Sequence, residues 1–143
     1  MYKYNVGYAT GVFDLFHIGH LNLLKNAKKY CKHLIVGVSI DEIITYKEHK
    51  PIIPFEERIN IVEAIRYVDE AIPQTSLDKI EAWERLKYNV LFHGDDLIGD
   101  PVWERYRISF EERGVDLIYL PYTTNISTSE IRERIIKQND KKI

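Results

Sequence analysis

The chain lacks a pair of cysteines, a long apolar run and an excess of positive charge. It holds one cysteine, Cys31. That excludes an internal disulfide and a cysteine-built metal cage, and at the end of an apolar helix face, which it is expected to share with Leu24 and Ala27, Cys31 reads as a small core residue. No stretch approaches the roughly 20 apolar residues that cross a bilayer. Met1-Tyr2-Lys3-Tyr4-Asn5 lacks the apolar core of an export signal, so a cytoplasmic location without a membrane partner is expected. Lys and Arg number 20 against 22 Asp and Glu, a net charge of -2, which gives no electrostatic case for a nucleic-acid partner. Two phosphate-binding signatures are missing: no G-x-G-x-x-G follows the first apolar run, and there is no G-x-x-x-x-G-K-[ST] loop. Neither H-E-x-x-H nor H-x-x-E-H occurs, so His17 and His20 have no nearby third ligand and no protein-bound metal is expected.

What remains is the composition of a globular domain, 45% apolar and 29% charged. Its 143 residues suit one domain with a real core, with a frayed tail expected over 137–143. Strand and helix patterns alternate from end to end. Strands are expected at Asn5 to Thr10, His33 to Ile40, Glu70 to Pro73, Val90 to His93 and Asp116 to Leu120. Helices are expected at Gly19 to Tyr30, Pro54 to Ile65, Leu77 to Lys87, Pro101 to Arg113 and Ser129 to Lys137. The apolar runs 34–38 and 115–120 suit parallel strands covered on both faces. The expected fold is therefore α/β, a doubly wound five-stranded parallel sheet. In such folds ligands sit beyond the carboxyl ends of the strands, where four loops converge: Thr10 to His20, Asp41 to Pro54, Gly94-Asp95-Asp96 and Tyr122 to Ser129.

His17-Ile18-Gly19-His20 opens a helix directly after the first strand and its turn. Unpaired N–H groups and the dipole at a helix N-terminus attract anions, phosphate above all, and Gly19 lets a ligand approach the backbone. Ser127 with Glu130 three residues on reads as a capping box that starts a second helix, whose hydroxyls and N–H groups form another phosphate cradle. The pattern points to a nucleotide enzyme that handles phosphate.

Gly11-Val12-Phe13-Asp14-Leu15-Phe16-His17-Ile18-Gly19-His20 resembles the G-x-F-D-x-x-H-x-G-H signature of the cytidylyltransferases. Further likenesses follow in order: Arg66-Tyr67-Val68-Asp69-Glu70 to R-Y-V-D-E, Gly94-Asp95-Asp96 to G-D-D, and Ile126-Ser127-Thr128-Ser129 to I-S-T-[ST]. The resemblance spans Tyr8 to about Ile135 and implies the Rossmann-like nucleotidyltransferase fold. It also implies transfer of a cytidylyl group from CTP to a phosphorylated alcohol, glycerol 3-phosphate first and ethanolamine, choline or another polyol phosphate next, for a surface polymer such as teichoic acid. Mg²⁺ is expected mainly through the triphosphate, and a homodimer is implied. The class I aminoacyl-tRNA synthetases share the HIGH letters, but their K-M-S-K-S loop is absent. A catalytically silent nucleotide-binding domain is the reading from another class.

The resemblance also implies roles. His17 and His20 would hold the triphosphate and the pentavalent phosphorus, with Thr10, Gly11, Val12, Phe13, Asp14 and Gly19 close to the nucleotide. Lys47 would contact substrate phosphates, the acceptor's included, with Lys50 in reserve and His49 in place of a basic neighbour. Arg66 would reach the nucleotide phosphates, Arg58 and Asp69 would organise the site or a dimer contact, and Lys79 would meet the acceptor. Asp96 would take hydrogen bonds from the ribose or base, and Ile126, Ser127, Thr128 and Ser129 would hold CTP phosphates. Tyr122 stands where the resembling proteins have an arginine, so it can stack or hydrogen-bond there without supplying charge. Asn125 replaces a glycine and can hold the same left-handed turn.

Overall fold

The computed structural model describes residues 2–45, 49–95 and 98–140. The elements run β1 (Tyr4–Gly11), α1 (Ile18–Lys28), β2 (Cys31–Ser39), a single 3-10 turn (Asp41–Ile43), α2 (Phe55–Glu63) and β3 (Glu70–Gln74). They continue α3 (Lys79–Leu86), β4 (Val90–Gly94), α4 (Pro101–Glu112), β5 (Asp116–Leu120) and α5 (Thr128–Asp140). The five strands form one sheet in the order β3-β2-β1-β4-β5, and every neighbouring pair is parallel. The chain steps outward from β1 to β2 and β3, then crosses back to β4 and β5. The order therefore switches between β1 and β4, and a crevice opens there at the carboxyl edge.

Alternation along the strands divides the core. Ala9, Leu34, Val36, Val38 and Phe92 face one side, with Leu24 and Ala27 of α1 and Val62 of α2 packed on them. Tyr8, Ile35 and Leu91 face the other, under Ala82 of α3 and Phe110 of α4. Helices thus cover both faces, which explains why Leu34 to Ser39 is buried without interruption.

Boundaries follow from caps. Asp78 accepts the backbone N–H groups of Ile80 and Glu81, so α3 begins at Lys79 and not at Leu77. Asp100 caps α4 in the same way, with Pro101 at its first position, and Gly114 (φ 72°) follows its end. One expectation is corrected. Cys31 does not extend the helical face: α1 ends at Lys28, and Cys31 opens β2 fully buried, its thiol directed at the Ala27 carbonyl 3.6 Å away and pushed up to about 11 by burial. Of the tail expected to fray over 137–143, residues 137–140 continue α5 and 141–143 lie outside the described residues. Among the described residues no helix is long and apolar enough to cross a membrane.

Candidate active site

β1 ends at Gly11 in a turn that L-residues adopt at a cost: Phe13 (φ 55°) and Leu15 (φ 50°) are both left-handed. The strain sets His17 as the N-cap of α1. Its Nδ1 accepts the Gly19 N–H at 3.0 Å, while His20 Nδ1 accepts the His17 N–H at 3.2 Å. This is a capping box in which two imidazoles replace the usual hydroxyl and carboxylate. The rings stack with centroids 3.8 Å apart, and Phe13 and Phe16 lie against His20 at 5.4 and 5.2 Å. A nitrogen that accepts a backbone N–H carries no proton, so both rings are neutral Nε2–H tautomers with Nδ1 tied down. Partial burial holds the His17 pKa below its ordinary value, which favours that form. The cap thereby fixes each ring's donor at Nε2.

The second helix end faces the first. Ser127 Oγ accepts the Glu130 N–H at 3.0 Å, so that side of the expected capping box is formed, and Ser127 precedes the first residue of α5. A Cβ at Gly19 would clash with the His17 ring at 2.8 Å, so glycine leaves that ring its place in the cap, and Ile126 Cγ2 would lie 3.4 Å away on the facing wall. Asn22 of α1 donates to Thr123 Oγ1 at 2.9 Å and closes the same seam. Asn125 holds the left-handed turn (φ 62°), as expected.

Asp14 has another occupation than the expected nucleotide contact. It is 3% exposed; its carboxylate accepts the Ile52 and Ile53 N–H groups, each at 2.9 Å, and pairs with Arg132 at 3.1 Å. Thr128 also turns inward, donating its hydroxyl to the Asp14 carbonyl at 2.9 Å. Arg58, 1% exposed, donates to the carbonyls of Val12, Ser39 and Ile53 and pairs with Asp41 at 2.6 Å. It ties the carboxyl ends of β1 and β2 to the 49–54 loop. Among the described residues, sequence reasoning missed Arg132, Asn22 and Thr123. Arg132 had a local signal: it lies four positions after Thr128, on one helix face.

On the opposite face of β1, Lys79 at the start of α3 is 7% exposed and donates to Thr10 Oγ1 at 2.8 Å. Burial lowers its pKa to about 8. No carboxylate pairs with it among the described residues. At the far end of the crevice the Tyr122 ring lies on Gly94, where a Cβ would sit 2.5 Å from the ring. Three expected residues lie elsewhere. Arg66 precedes β3 at the amino edge of the sheet, its guanidinium against Tyr67 in a groove with Tyr2, Lys25, Lys28 and Lys29; it cannot reach the crevice of its own chain. Asp69 is at that edge too, pairing with Lys28 at 2.6 Å and capping the Leu34 N–H. His49 is exposed in a groove with Lys50, Ile52, Arg132, Ile135 and Ile136, on the outer side of α5. Lys47 and Asp96 lie outside the described residues.

The sheet order, with two helix N-termini and a pair of imidazoles at one carboxyl edge, defines an α/β protein of the Rossmann-like class. Residues 8–134 match the family model described as cytidylyltransferase-like, and the chain belongs to that family of nucleotidyltransferases. It is 39% identical over 127 residues to a glycerol-3-phosphate cytidylyltransferase of Bacillus subtilis (strain 168), covering 87% of this chain and 92% of that one. It is 33% identical over 133 residues to an FAD synthase of Archaeoglobus fulgidus, covering 91% and 96%. Among solved structures, the lipopolysaccharide core biosynthesis protein from Thermoplasma volcanium GSS1 superposes with a TM-score of 0.70 at 25% identity, over 84% of this chain and 97% of that one.

Proposed function

We propose that the protein transfers a cytidylyl group from CTP to glycerol 3-phosphate, giving CDP-glycerol and pyrophosphate. One observation carries this: the cap of α1 fixes two Nε2–H donors beside a second helix N-terminus, while the buried Lys79 ammonium lies across β1. The first group suits a triphosphate; the second suits the acceptor's phosphate. An acceptor phosphate oxygen attacks the α-phosphorus in line, the bond to the bridging oxygen breaks, and pyrophosphate leaves with that electron pair. The histidine donors and backbone N–H groups neutralise charge growing on the phosphoryl oxygens, and binding aligns the two anions. No covalent enzyme intermediate is needed.

Mg²⁺ enters on the triphosphate. Among the described residues no group of three or more His, Cys, Asp or Glu could hold a metal ion, and the donors around the crevice complement anion oxygens, not a hard cation. Tyr122, lying on Gly94, offers a flat ring to the nucleoside where the resembling proteins place an arginine.

The FAD synthase relative favours a second reading, adenylyl transfer to a flavin phosphate on the same scaffold. Pyrophosphate release separates the two. The protein is incubated with Mg²⁺ and either CTP or ATP, against glycerol, ethanolamine and choline phosphates, another polyol phosphate and FMN. Release only with CTP and glycerol 3-phosphate is expected. Release with ATP and FMN establishes the second reading, and release with no pair leaves a catalytically silent nucleotide-binding domain.

A further inference from the structure

We propose that Arg132 is a positioning residue: by pairing with Asp14 it locks the 50–53 loop to the first turns of α5 and so fixes the spacing between the two phosphate-binding helix ends. The Asp14 carboxylate is the meeting point of three segments distant in sequence. Its Oδ1 takes the Ile53 N–H at 2.9 Å; its Oδ2 takes the Ile52 N–H at 2.9 Å and Arg132 Nη2 at 3.1 Å. The same guanidinium nitrogen reaches the Lys50 carbonyl at 3.5 Å. The Asp14 carbonyl meanwhile accepts the Thr128 hydroxyl, so α5 grips the turn at two points one helical turn apart. Ile53 is held from its other side by Arg58, which takes its carbonyl at 2.9 Å.

A carboxylate this buried needs a counter-charge. Among the described residues Arg132 is the one cation paired with Asp14. Remove it, and the buried carboxylate loses its counter-charge and turns toward water. That weakens its hold on the Ile52 and Ile53 amides, and the loop and α5 shift relative to the His17–His20 cap. Arg132 acts through Asp14: it lines the groove on the outer side of α5 with Lys50, Ile52 and Ile135 and is not part of the crevice.

The kinetic consequence rests on the transfer reaction proposed above, whereas the structural consequence does not. Amide hydrogen exchange and steady-state kinetics are measured on the full chain for Arg132→Met, Arg132→Gln and Arg132→Lys. Loss of the pair should speed exchange at Ile52 and Ile53 by ~10-fold or more while the sheet amides of Ile35 and Leu91 keep their protection. Because misplacement remote from the chemistry can cost ~100-fold, kcat should fall ~10- to 100-fold with a smaller change in the nucleotide KM. Lys keeps the charge within reach of Asp14 and should restore both exchange and kcat, which a purely structural role for the arginine stem would not require. If Arg132→Met fails to fold, Gln against Lys decides: Gln loosened and Lys protected supports the pair. Unchanged exchange at Ile52 and Ile53 in Met or Gln overturns the proposal, as does a Lys variant as loose as Met. Should the wild type transfer nothing, the exchange results still decide.

Discussion

His17 and His20 cap a helix and present donors at once, and the two duties share one protonation state. Protonation at Nδ1 would break the reciprocal cap, so both duties need the neutral rings. The His17 pKa lies below 6.5 in the folded chain because burial disfavours the charged form. The unfolded chain therefore binds the proton more readily. His17's contribution to stability is complete above pH 6.5 and declines as pH falls below it. Thermal melts between pH 7.5 and 5 should show that decline, and His17→Asn should flatten it; a wild-type profile level to pH 5 would refute the assignment. Lys79 has the opposite history. Its charge is buried at a cost, and with the pKa moved from 10.5 to about 8 that cost amounts to ~3 kcal/mol. Stability should thus rise with pH between 8 and 10.5, where the folded state has shed the proton and the unfolded state still holds it. Lys79→Met should melt higher than wild type at pH 7 and raise the acceptor KM. A lower melting temperature with an unchanged KM would make the lysine an ordinary structural residue.

At the scale of elements, the site consists of strand ends and helix starts joined by the buried Arg58 and the half-buried Arg132, and it was unequally legible in the sequence. The α1 and α5 caps could be read because their partners lie within three residues. Arg132 and Asp14 are 118 residues apart: the helix face shared with Thr128 marks Arg132, but no local pattern names Asp14 as its partner. Arg66 was misplaced for a different reason. A family motif names residues that matter without naming a sheet edge, and strand direction puts any residue just before β3 at the amino end. Two element-level outcomes follow. Arg58→Met orphans three carbonyls and the Asp41 carboxylate around a buried site, so it should cost about 3 kcal/mol or more in denaturant unfolding; a loss under 1 kcal/mol would mean that the strand ends do not depend on it. Gly94→Ala puts a Cβ 2.5 Å from the exposed Tyr122 ring, whose outer end is the nearest group, and displaces that ring. Its melting temperature should therefore change little while the nucleotide KM rises, and an unchanged KM would remove Tyr122 from the nucleotide site.

For the whole molecule, five parallel strands could be anticipated because buried parallel strands write continuous apolar runs, as in Leu34 to Val38, and the crossover lengths fit helices. The crevice position follows from the sheet order with its reversal between β1 and β4. The sequence did not show how the halves of the crevice are held together. That depends on Asp14, Arg58 and Thr128, whose contacts cross the sheet edge. The proposed transfer requires the paired Nε2–H donors of His17 and His20 to act on phosphate. It is tested most directly by the initial rate of pyrophosphate release from CTP and glycerol 3-phosphate in wild type and in His17→Ala and His20→Ala, with sheet amide protection confirming the fold. Loss of one such donor should lower kcat by ~10²- to 10³-fold. Folded variants that release pyrophosphate at the wild-type rate would contradict the account.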